Sequence, residues 1–87
     1  MPDDSMRLDV LLHELRLFMS RSQASAAILQ GHVLLHGRES KPGHAVRPGD
    51  RVTLVRAPSR TLEILGLPHR SLSKEAARAL VREVAKE

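Results

Sequence analysis

The chain has 87 residues, of which 41% are apolar, and these values predict one small folded domain rather than a disordered segment. It has no cysteine, which excludes disulfides and thiolate metal sites and fits a reducing cytoplasm, and no apolar run approaches the ~20 residues of a membrane-spanning helix. The formal net charge of +4 favours an anionic partner.

The positive charge is concentrated in one part of the chain. Residues 7–60 carry nine Lys/Arg against four Asp/Glu, whereas residues 61–87 carry five against four. This distribution is expected for a protein that binds nucleic acid. Phe18 is the only aromatic residue, which disfavours domains that bind single strands by stacking bases on several exposed rings. Phosphates, ribose hydroxyls and RNA shape should therefore provide the affinity.

The first predicted helix has an apolar stripe at positions i, i+3, i+4 and i+7, formed by Leu8, Leu11, Leu12 and Leu15. Either Ser5 or Asp9 can cap its start.

The second predicted helix begins after Leu17-Phe18-Met19, with Ser20 or Ser22 as its N-cap, and ends at Gly31. Its narrow apolar face contains small residues that allow close packing on the first helix: Ala24, Ala27 and Ile28.

A β-hairpin is predicted next. Val33-Leu34-Leu35 is a short apolar strand, and His36-Gly37 has the place and form of a two-residue turn. Lys41-Pro42-Gly43 interrupts the returning strand, and Ala45-Val46 resumes it.

The second half of the chain alternates turns and strands. Arg47-Pro48-Gly49-Asp50 is a strong turn signal, followed by a half-buried strand over residues 51–55 and a loop over residues 57–60. Residues 61–65 alternate again and predict an edge strand. A last helix is expected from Ser71 or Ser73, with these residues facing inward: Ala77, Leu80, Val81 and Val84.

Five motifs, in this order, resemble the S-four RNA-binding domain, a family named after a primary RNA-binding protein of the small ribosomal subunit. They are Arg7-Leu8-Asp9, Ser20-Arg21-Ser22-Gln23-Ala24, Gly31-His32-Val33, His36-Gly37 and Arg47-Pro48-Gly49-Asp50. Each motif is weak alone, but together they span about half of the chain with family-like spacing.

The resemblance implies an α+β fold in which two N-terminal helices pack on a small, mostly antiparallel β-sheet with a hairpin, followed by a C-terminal strand and helix. We expect an N-terminal tail at residues 1–5, the RNA-binding domain at residues 6–56, and an extension at residues 57–87 packed on the same domain.

A narrower resemblance concerns Arg38-Glu39-Ser40-Lys41-Pro42 and the C-terminal strand and helix. These segments look like those of the fifteen-kilodalton heat-shock protein family and its compact quality-control relatives. That resemblance implies a cytoplasmic factor that binds rRNA of the large ribosomal subunit, with tRNA when a nascent chain is stranded there. We expect a monomer that is not an enzyme and uses no cofactor, metal or membrane.

Two residues depart from the family pattern. Ser25 stands where the domain usually has Lys or Arg, which removes one charge from the second helix. His36 replaces the usual Asn of the turn, although histidine also adopts positive φ more often than most residues.

Arg21 is the strongest candidate RNA ligand, because arginine at a helix start is unfavourable for the helix dipole unless an anion binds there. Arg7 resembles the arginine of the family's first helix, although pairing with Asp9 or Asp50 would also explain it. Asp9 is expected to orient an arginine or cap the helix. The full candidate set is Arg7, Arg16, Arg21, Ser22, Gln23, Arg38 and Lys41.

Other basic residues are weaker candidates. Arg47 and Arg51 could add to the positive potential around the site without contacting RNA themselves. Ser22, which is not basic, is explained equally well as an N-cap and as an RNA ligand. Lys74 and Arg78, with their neighbouring charges of both signs, indicate an ordinary solvated helix face.

Two other functions stay open. A DNA-binding helix-turn-helix would place the second helix in a major groove, although its apolar face leaves few side chains to read bases. An accessory of an RNA-modifying enzyme would need a catalytic partner in trans. A zinc site at His32 and His36 is disfavoured, because four residues along a strand separate their α-carbons by roughly 13 Å.

Overall fold

This computed structural model describes residues 4–55, 59–68 and 73–84. The elements follow in the order β1 (Met6–Arg7), α1 (Leu8–Glu14), α2 (Arg21–Leu29), β2 (Val33–Leu35), β3 (Arg38–Glu39), β4 (Ala45–Val46), β5 (Arg51–Leu54), β6 (Arg60–Ile64), α3 (Lys74–Arg78) and β7 (Val81–Val84). One sheet pairs β1 with β4, and a five-stranded antiparallel sheet has the order β3-β2-β5-β6-β7. The predicted α+β fold class is confirmed.

The start of α1 is closed by backbone carbonyl groups. Its first two N–H groups, those of Leu8 and Asp9, donate to the carbonyl oxygens of His44 and Pro42 at 2.9 and 3.1 Å. No side chain caps this helix, and Arg7 occupies the N-cap position. Neither Ser5 nor Asp9 is the N-cap as predicted, because the 42–44 segment satisfies those donors; the Oδ1 of Asp9 instead accepts the next N–H of the first turn, that of Val10, at 2.8 Å.

The end of α1 is strained at Arg16. This residue has φ = 61°, and the N–H groups of Arg16 and Leu17 donate to the carbonyls of His13 and Leu12, which together form a Schellman motif. Glycine is usual at this position, because the left-handed conformation costs about 1 kcal/mol in a residue with a β-carbon. The turn thus holds a long cationic side chain on a strained backbone.

The second helix follows its prediction closely. The Oγ of Ser20 accepts a hydrogen bond from the N–H of Gln23 at 3.0 Å, so Ser20 rather than Ser22 is the N-cap. Gly31 ends the helix with φ = 80°, a conformation that a residue without a β-carbon adopts freely.

The core lies between the two helices and one face of the five-stranded sheet. The leucine stripe of α1 is at most 4% exposed, and the apolar face of α2 is at most 8% exposed. Both pack against inward-facing strand residues, which are Val33, Leu35, Val46, Val52 and Ile64. The periodicity that predicted both helices therefore also identified the faces they bury.

The β2–β3 hairpin has the predicted two-residue turn. Leu35 pairs with Arg38, and both loop residues have positive φ, 54° at His36 and 77° at Gly37. These values are typical of the turns whose twist matches that of a hairpin. The Nε2 of His36 lies 3.0 Å from the Oδ1 of Asp50, which joins the hairpin tip to the turn before β5.

The C-terminal part differs from the prediction. α3 has five residues, with Ser73 as its N-cap, and the chain then forms β7, which pairs antiparallel with β6. The prediction of one helix through Val84 was wrong because β7 satisfies the otherwise open edge of β6, a tertiary gain that helical periodicity does not reveal. The alternative helix start at Ser71 and the loop residues 57–58 lie outside the described residues.

A second difference concerns Ala45-Val46. We expected this segment to resume the returning strand of the hairpin, but it forms β4, which pairs with β1 in a separate sheet. This pairing brings Arg7 opposite Ala45.

The hairpin turn yields a first prediction. Gly37→Ala should lower the free energy of unfolding by about 1 kcal/mol, because the left-handed backbone at residue 37 disfavours a β-carbon even though the space around it is open. Urea denaturation measures this change. Gly43→Ala is the matched control, since its β-carbon would make only ordinary contacts, and an equal loss in both variants would contradict the assignment.

Candidate nucleic-acid interface

A buried carboxylate joins the two arginines that the sequence singled out most strongly. Asp9 is 2% exposed and lies in the first turn of α1. Its Oδ1 and Oδ2 accept hydrogen bonds from the Nε and Nη2 of Arg7, both at 3.1 Å, and its Oδ2 also accepts one from the Nε of Arg21 at 3.2 Å. Two arginines fourteen residues apart in sequence are thereby held at one point on the surface.

Both guanidinium groups stay open to solvent. The side chains of Arg7 and Arg21 are 52% and 55% exposed, whereas that of Asp9 is 3% exposed. A guanidinium has five N–H donors, of which Asp9 takes two from Arg7 and one from Arg21. The remaining donors can bind an anion without breaking the contacts that position them.

The protonation states of this cluster are well defined. Burial raises the pKa of Asp9, but hydrogen bonds from Arg7, Arg21 and the Val10 N–H, together with the Arg7 charge, outweigh it and hold the pKa below its ordinary 3.8. The hydrogen bond and charge of Asp9 in turn raise the pKa of Arg7. The cluster therefore contains one negative and two positive charges at neutral pH.

The start of α2 adds polar groups beside Arg21. Arg21, Ser22 and Gln23 occupy its first turn and are all exposed. The first N–H groups of any helix have no partner within it, and the helix dipole favours an anion there. The N–H of Gln23 is already used by Ser20, which leaves the N–H groups of Arg21 and Ser22 as the donors nearest the N-terminus.

The segment after the hairpin lies against Arg7. A β-carbon at Gly43 would lie 3.7 Å from the Cζ of Arg7, and the carbonyl of Pro42 accepts the N–H of Asp9. Lys41 is exposed at the beginning of this segment. The structure thus places Lys41 two residues before Gly43, which lies against Arg7.

Arg38 lies on the edge strand β3. It pairs directly with Leu35, and opposed residues in an antiparallel pair point to the same face of a sheet. Leu35 is buried beneath the helices, so Arg38 points to the helix-covered side of the sheet and is exposed at its edge.

Arg16 lies apart from the other candidates. The seven residues of α1, which alone correspond to about 10 Å of helix rise, and Leu15 separate it from Arg7. It lines two surface clefts together with Lys74. The structure therefore groups Arg7 and Arg21 directly and places Arg16 at the opposite end of α1.

Two features of this surface were not fully predicted. Asp9 was expected to orient one arginine, but it orients two, and only the fold shows that the second is Arg21. Ser25, which stands where the family usually has Lys or Arg, lines a shallow surface cavity of about 420 Å³. The cavity is lined by Asp9, Arg21, Ser22, Ser25, Ala26 and Leu29. This lining shows that α2 presents three small residues, Ser22, Ser25 and Ala26, beside Arg21.

A family model described as the S4 domain matches residues 6–52, which contain β1 through β4, both N-terminal helices and the start of β5. The chain belongs to the S4 domain family. The S-four resemblance of the sequence is thereby confirmed, and the arginine pair and the hairpin both lie within the matched residues. An S4 domain implies RNA binding.

Two curated relatives are ribosomal proteins. The chain is 38% identical over 60 residues to small ribosomal subunit protein uS4 of Thermus thermophilus, a match covering 68% of this chain and 28% of that protein. The match to uS4 of Geobacillus kaustophilus has the same identity and covers 30% of that protein. The chain thus spans less than a third of the length of these relatives.

A solved structure covers nearly the whole chain. The trimeric heat shock protein 15 of Vibrio cholerae is 29% identical, with a TM-score of 0.86, and the alignment covers 93% of this chain and 83% of that one. The likeness therefore reaches beyond the S4 domain into the C-terminal strands. Among the described residues, no helix has the length and apolarity that crossing a membrane requires.

Asp9→Asn tests the charge cluster. We expect it to lower the free energy of unfolding by about 2 kcal/mol at neutral pH, because a buried group that accepts charged hydrogen bonds loses its charge. The lowered pKa makes this contribution complete above pH 3.8 and progressively lost as the pH falls through the folded-state value. Urea titrations at pH 7 and below pH 3.8 measure both effects.

The control for this experiment is Glu39→Gln, which neutralises an exposed carboxylate on β3. A difference between wild type and Asp9→Asn that stayed constant down to the lowest pH would show that the Asp9 charge does not stabilise the fold.

Proposed function

We propose that the chain is an RNA-binding module that docks on structured rRNA of the large ribosomal subunit, together with tRNA when a nascent chain is stranded there. It acts in the cytoplasm by binding rather than by catalysis. The observation that carries this proposal is the pair of half-exposed arginines held together by the buried Asp9.

The geometry favours a phosphate as the ligand of this pair. Two guanidinium groups fixed at one carboxylate lose little side-chain freedom on binding, and guanidinium forks match phosphate oxygens. The adjacent start of α2 adds backbone N–H donors and polar side chains at Ser22 and Gln23. Arg38 and Lys41 extend the cationic surface along the hairpin edge.

Structured RNA suits this surface better than single strands do. The chain has one aromatic residue, Phe18, so base stacking cannot provide much affinity. Phosphate and ribose contacts on a rigid surface recognise the shape of a folded RNA instead. The name of the curated relatives, small ribosomal subunit protein uS4, supports a ribosomal setting.

The proposed RNA-binding residues remain those predicted from the sequence: Arg7, Arg16, Arg21, Ser22, Gln23, Arg38 and Lys41. The domain boundaries at residues 6–56 and 57–87 are likewise part of the proposal. β6 and β7 continue the sheet of the first segment, so the extension shares its core.

A sedimentation experiment tests the ribosomal partner. Tagged protein should comigrate with free large subunits on a sucrose gradient, and crosslinking should then locate the contacted nucleotides. Comigration with the small subunit alone would contradict the large-subunit proposal. Preferential binding to duplex DNA over rRNA fragments would indicate the helix-turn-helix alternative, and co-purification of a modifying enzyme would indicate the accessory role.

Monomeric behaviour is also part of the proposal. The described large apolar residues that are exposed lie on separate elements or turns, namely Met19, Leu29, Val55 and Leu65. Scattered residues of this kind do not form an extended interface. Light scattering after size exclusion would contradict a monomer if it gave the mass of a trimer, the state named for the Vibrio cholerae protein.

Replacing Arg21 tests the phosphate contact. Arg21→Ala should weaken binding to the crosslinked rRNA fragment about tenfold and reduce the log–log salt slope by about 0.7–0.9, the value for one phosphate. Thermal stability should stay nearly unchanged, because Arg7 still pairs with Asp9. Filter binding over a salt series and a melting curve measure these quantities.

Two further variants sharpen this test. Arg21→Lys should keep the salt slope and recover only part of the affinity, because lysine keeps the charge without the guanidinium fork. Arg51→Ala is the control, since Arg51 alternates with the buried Val52 and therefore lies on the opposite face of the sheet. Equal losses in Arg21→Ala and Arg51→Ala would show a general charge effect rather than a site.

A further inference from the structure

Two adjoining surface clefts lie where the turn after α1 meets the C-terminal extension. Their volumes are about 410 and 430 Å³, and three residues line both of them: Arg16, Leu17 and Lys74. Because they share these residues, the clefts form one groove, which we call the extension groove. It is distinct from the cavity beside Arg21, with which it shares no lining residue.

The floor of the extension groove is aliphatic. In one cleft it is formed by residues from the turn after α1 and from β6, α3 and β7, which are Leu15, Leu17, Leu62, Ala77 and Val81. In the other cleft Leu17 continues the floor beside Phe18 and Met19. Met19 is 87% exposed, and its flexible thioether suits an adaptable apolar contact.

The rim of the groove is mainly cationic. Four basic side chains come from three parts of the chain, the turn after α1, β6 and α3, and they are Arg16, Arg60, Lys74 and Arg78. Two carboxylates oppose them: Glu83, which pairs with Arg60 at 3.2 Å, and Glu14. Lys74 and Arg78 form no ion pair with any residue in the described ranges, so the groove carries excess positive charge.

We propose that the extension groove binds an acidic protein segment whose apolar side chains fill the floor while its carboxylates pair with the rim. Amphipathic segments dock in this manner, with side chains anchored in an apolar groove. The positive charge of the rim requires a negatively charged partner, and the aliphatic floor requires that this partner also carry apolar side chains.

Beyond Arg16 at its rim, which is also a proposed RNA contact, RNA fits this groove poorly. Among the described residues no Ser, Thr, Asn or Gln lines either cleft, so His13 is the one side chain of the described lining, apart from the charged ones, that could hydrogen-bond to bases or ribose hydroxyls. Glu14 and Glu83 would repel a continuous phosphate backbone, whereas discrete peptide carboxylates can avoid them. The surface around Arg21 differs in both respects, since it contains Ser22, Gln23 and Ser25 and only the buried, paired Asp9.

The inference does not depend on the ribosomal proposal, and a crossed experiment separates the two. The probe is a fluorescein-labelled peptide of alternating glutamate and leucine pairs, and its binding is followed by anisotropy and by amide shifts of ¹⁵N-labelled protein. We expect shifts at Met19, Ala77 and Val81; Leu17 is not used as a reporter, because its neighbour Arg16 is also a proposed RNA contact. The crosslinked rRNA fragment should leave those amides unchanged.

Matched double variants provide the crossed comparison. Lys74→Gln with Arg78→Gln should weaken peptide binding about fivefold and leave RNA affinity unchanged. Arg38→Gln with Lys41→Gln should weaken RNA binding and leave peptide affinity unchanged. Met19→Ser, which alters an exposed side chain without touching the core, should weaken only peptide binding.

Several results would overturn the proposal. These are the absence of peptide-induced shifts in the groove, equal binding of a lysine–leucine peptide or of polyglutamate without leucine, and RNA-induced shifts at the same amides. Shifts at these amides that depend on protein concentration alone would show a second copy as the occupant and would also overturn it. Loss of RNA binding with intact peptide binding would contradict only the ribosomal proposal.

Discussion

The interface depends on the burial of the Asp9 carboxylate between Arg7 and Arg21. A buried carboxylate needs several strong donors, and Asp9 obtains them from two guanidinium groups and the Val10 N–H. Because Arg21 begins α2 and Asp9 lies in α1, this cluster also links the two helices at the surface. Core packing and the charged surface are therefore coupled through one residue.

This coupling explains how one charged cluster can both stabilise the fold and bind a ligand. Desolvation of Asp9 favours its neutral form, yet the arginines keep it ionised. Each arginine uses only part of its donor capacity for this purpose and keeps about half of its side chain in solvent. Pairing with Asp9 and binding an anion are thus compatible. Arg7 can be the salt-bridge partner of Asp9 and still bind RNA.

Local signals in the sequence predicted most of the N-terminal half. The leucine stripe of α1, the Ser20 cap, the Gly31 end and the His36-Gly37 turn each depend on chemistry within a few residues, and each is confirmed. The cap of α1 was missed because its partners are the carbonyls of Pro42 and His44, more than thirty residues away in sequence. A tertiary contact of this kind leaves no local pattern.

The C-terminal half shows the limit of periodicity. Ala77, Leu80, Val81 and Val84 fit a helical face, but β7 pairs with β6 and completes the sheet. Lys74 and Arg78 therefore do not belong to a long solvated helix. They border the extension groove with Arg16, whose left-handed backbone could not be foreseen from a residue that usually avoids it.

The central claim is that Arg7 and Arg21 contact RNA while Asp9 holds them. Side-chain ¹⁵N spectra of the guanidinium groups test it most directly, by recording the Nε–H signals during titration with an rRNA fragment. The account predicts that the Arg7 and Arg21 signals shift together at the ratio at which RNA binds, while the Arg51 signal stays in place. Tight RNA binding that left both signals unmoved would contradict it.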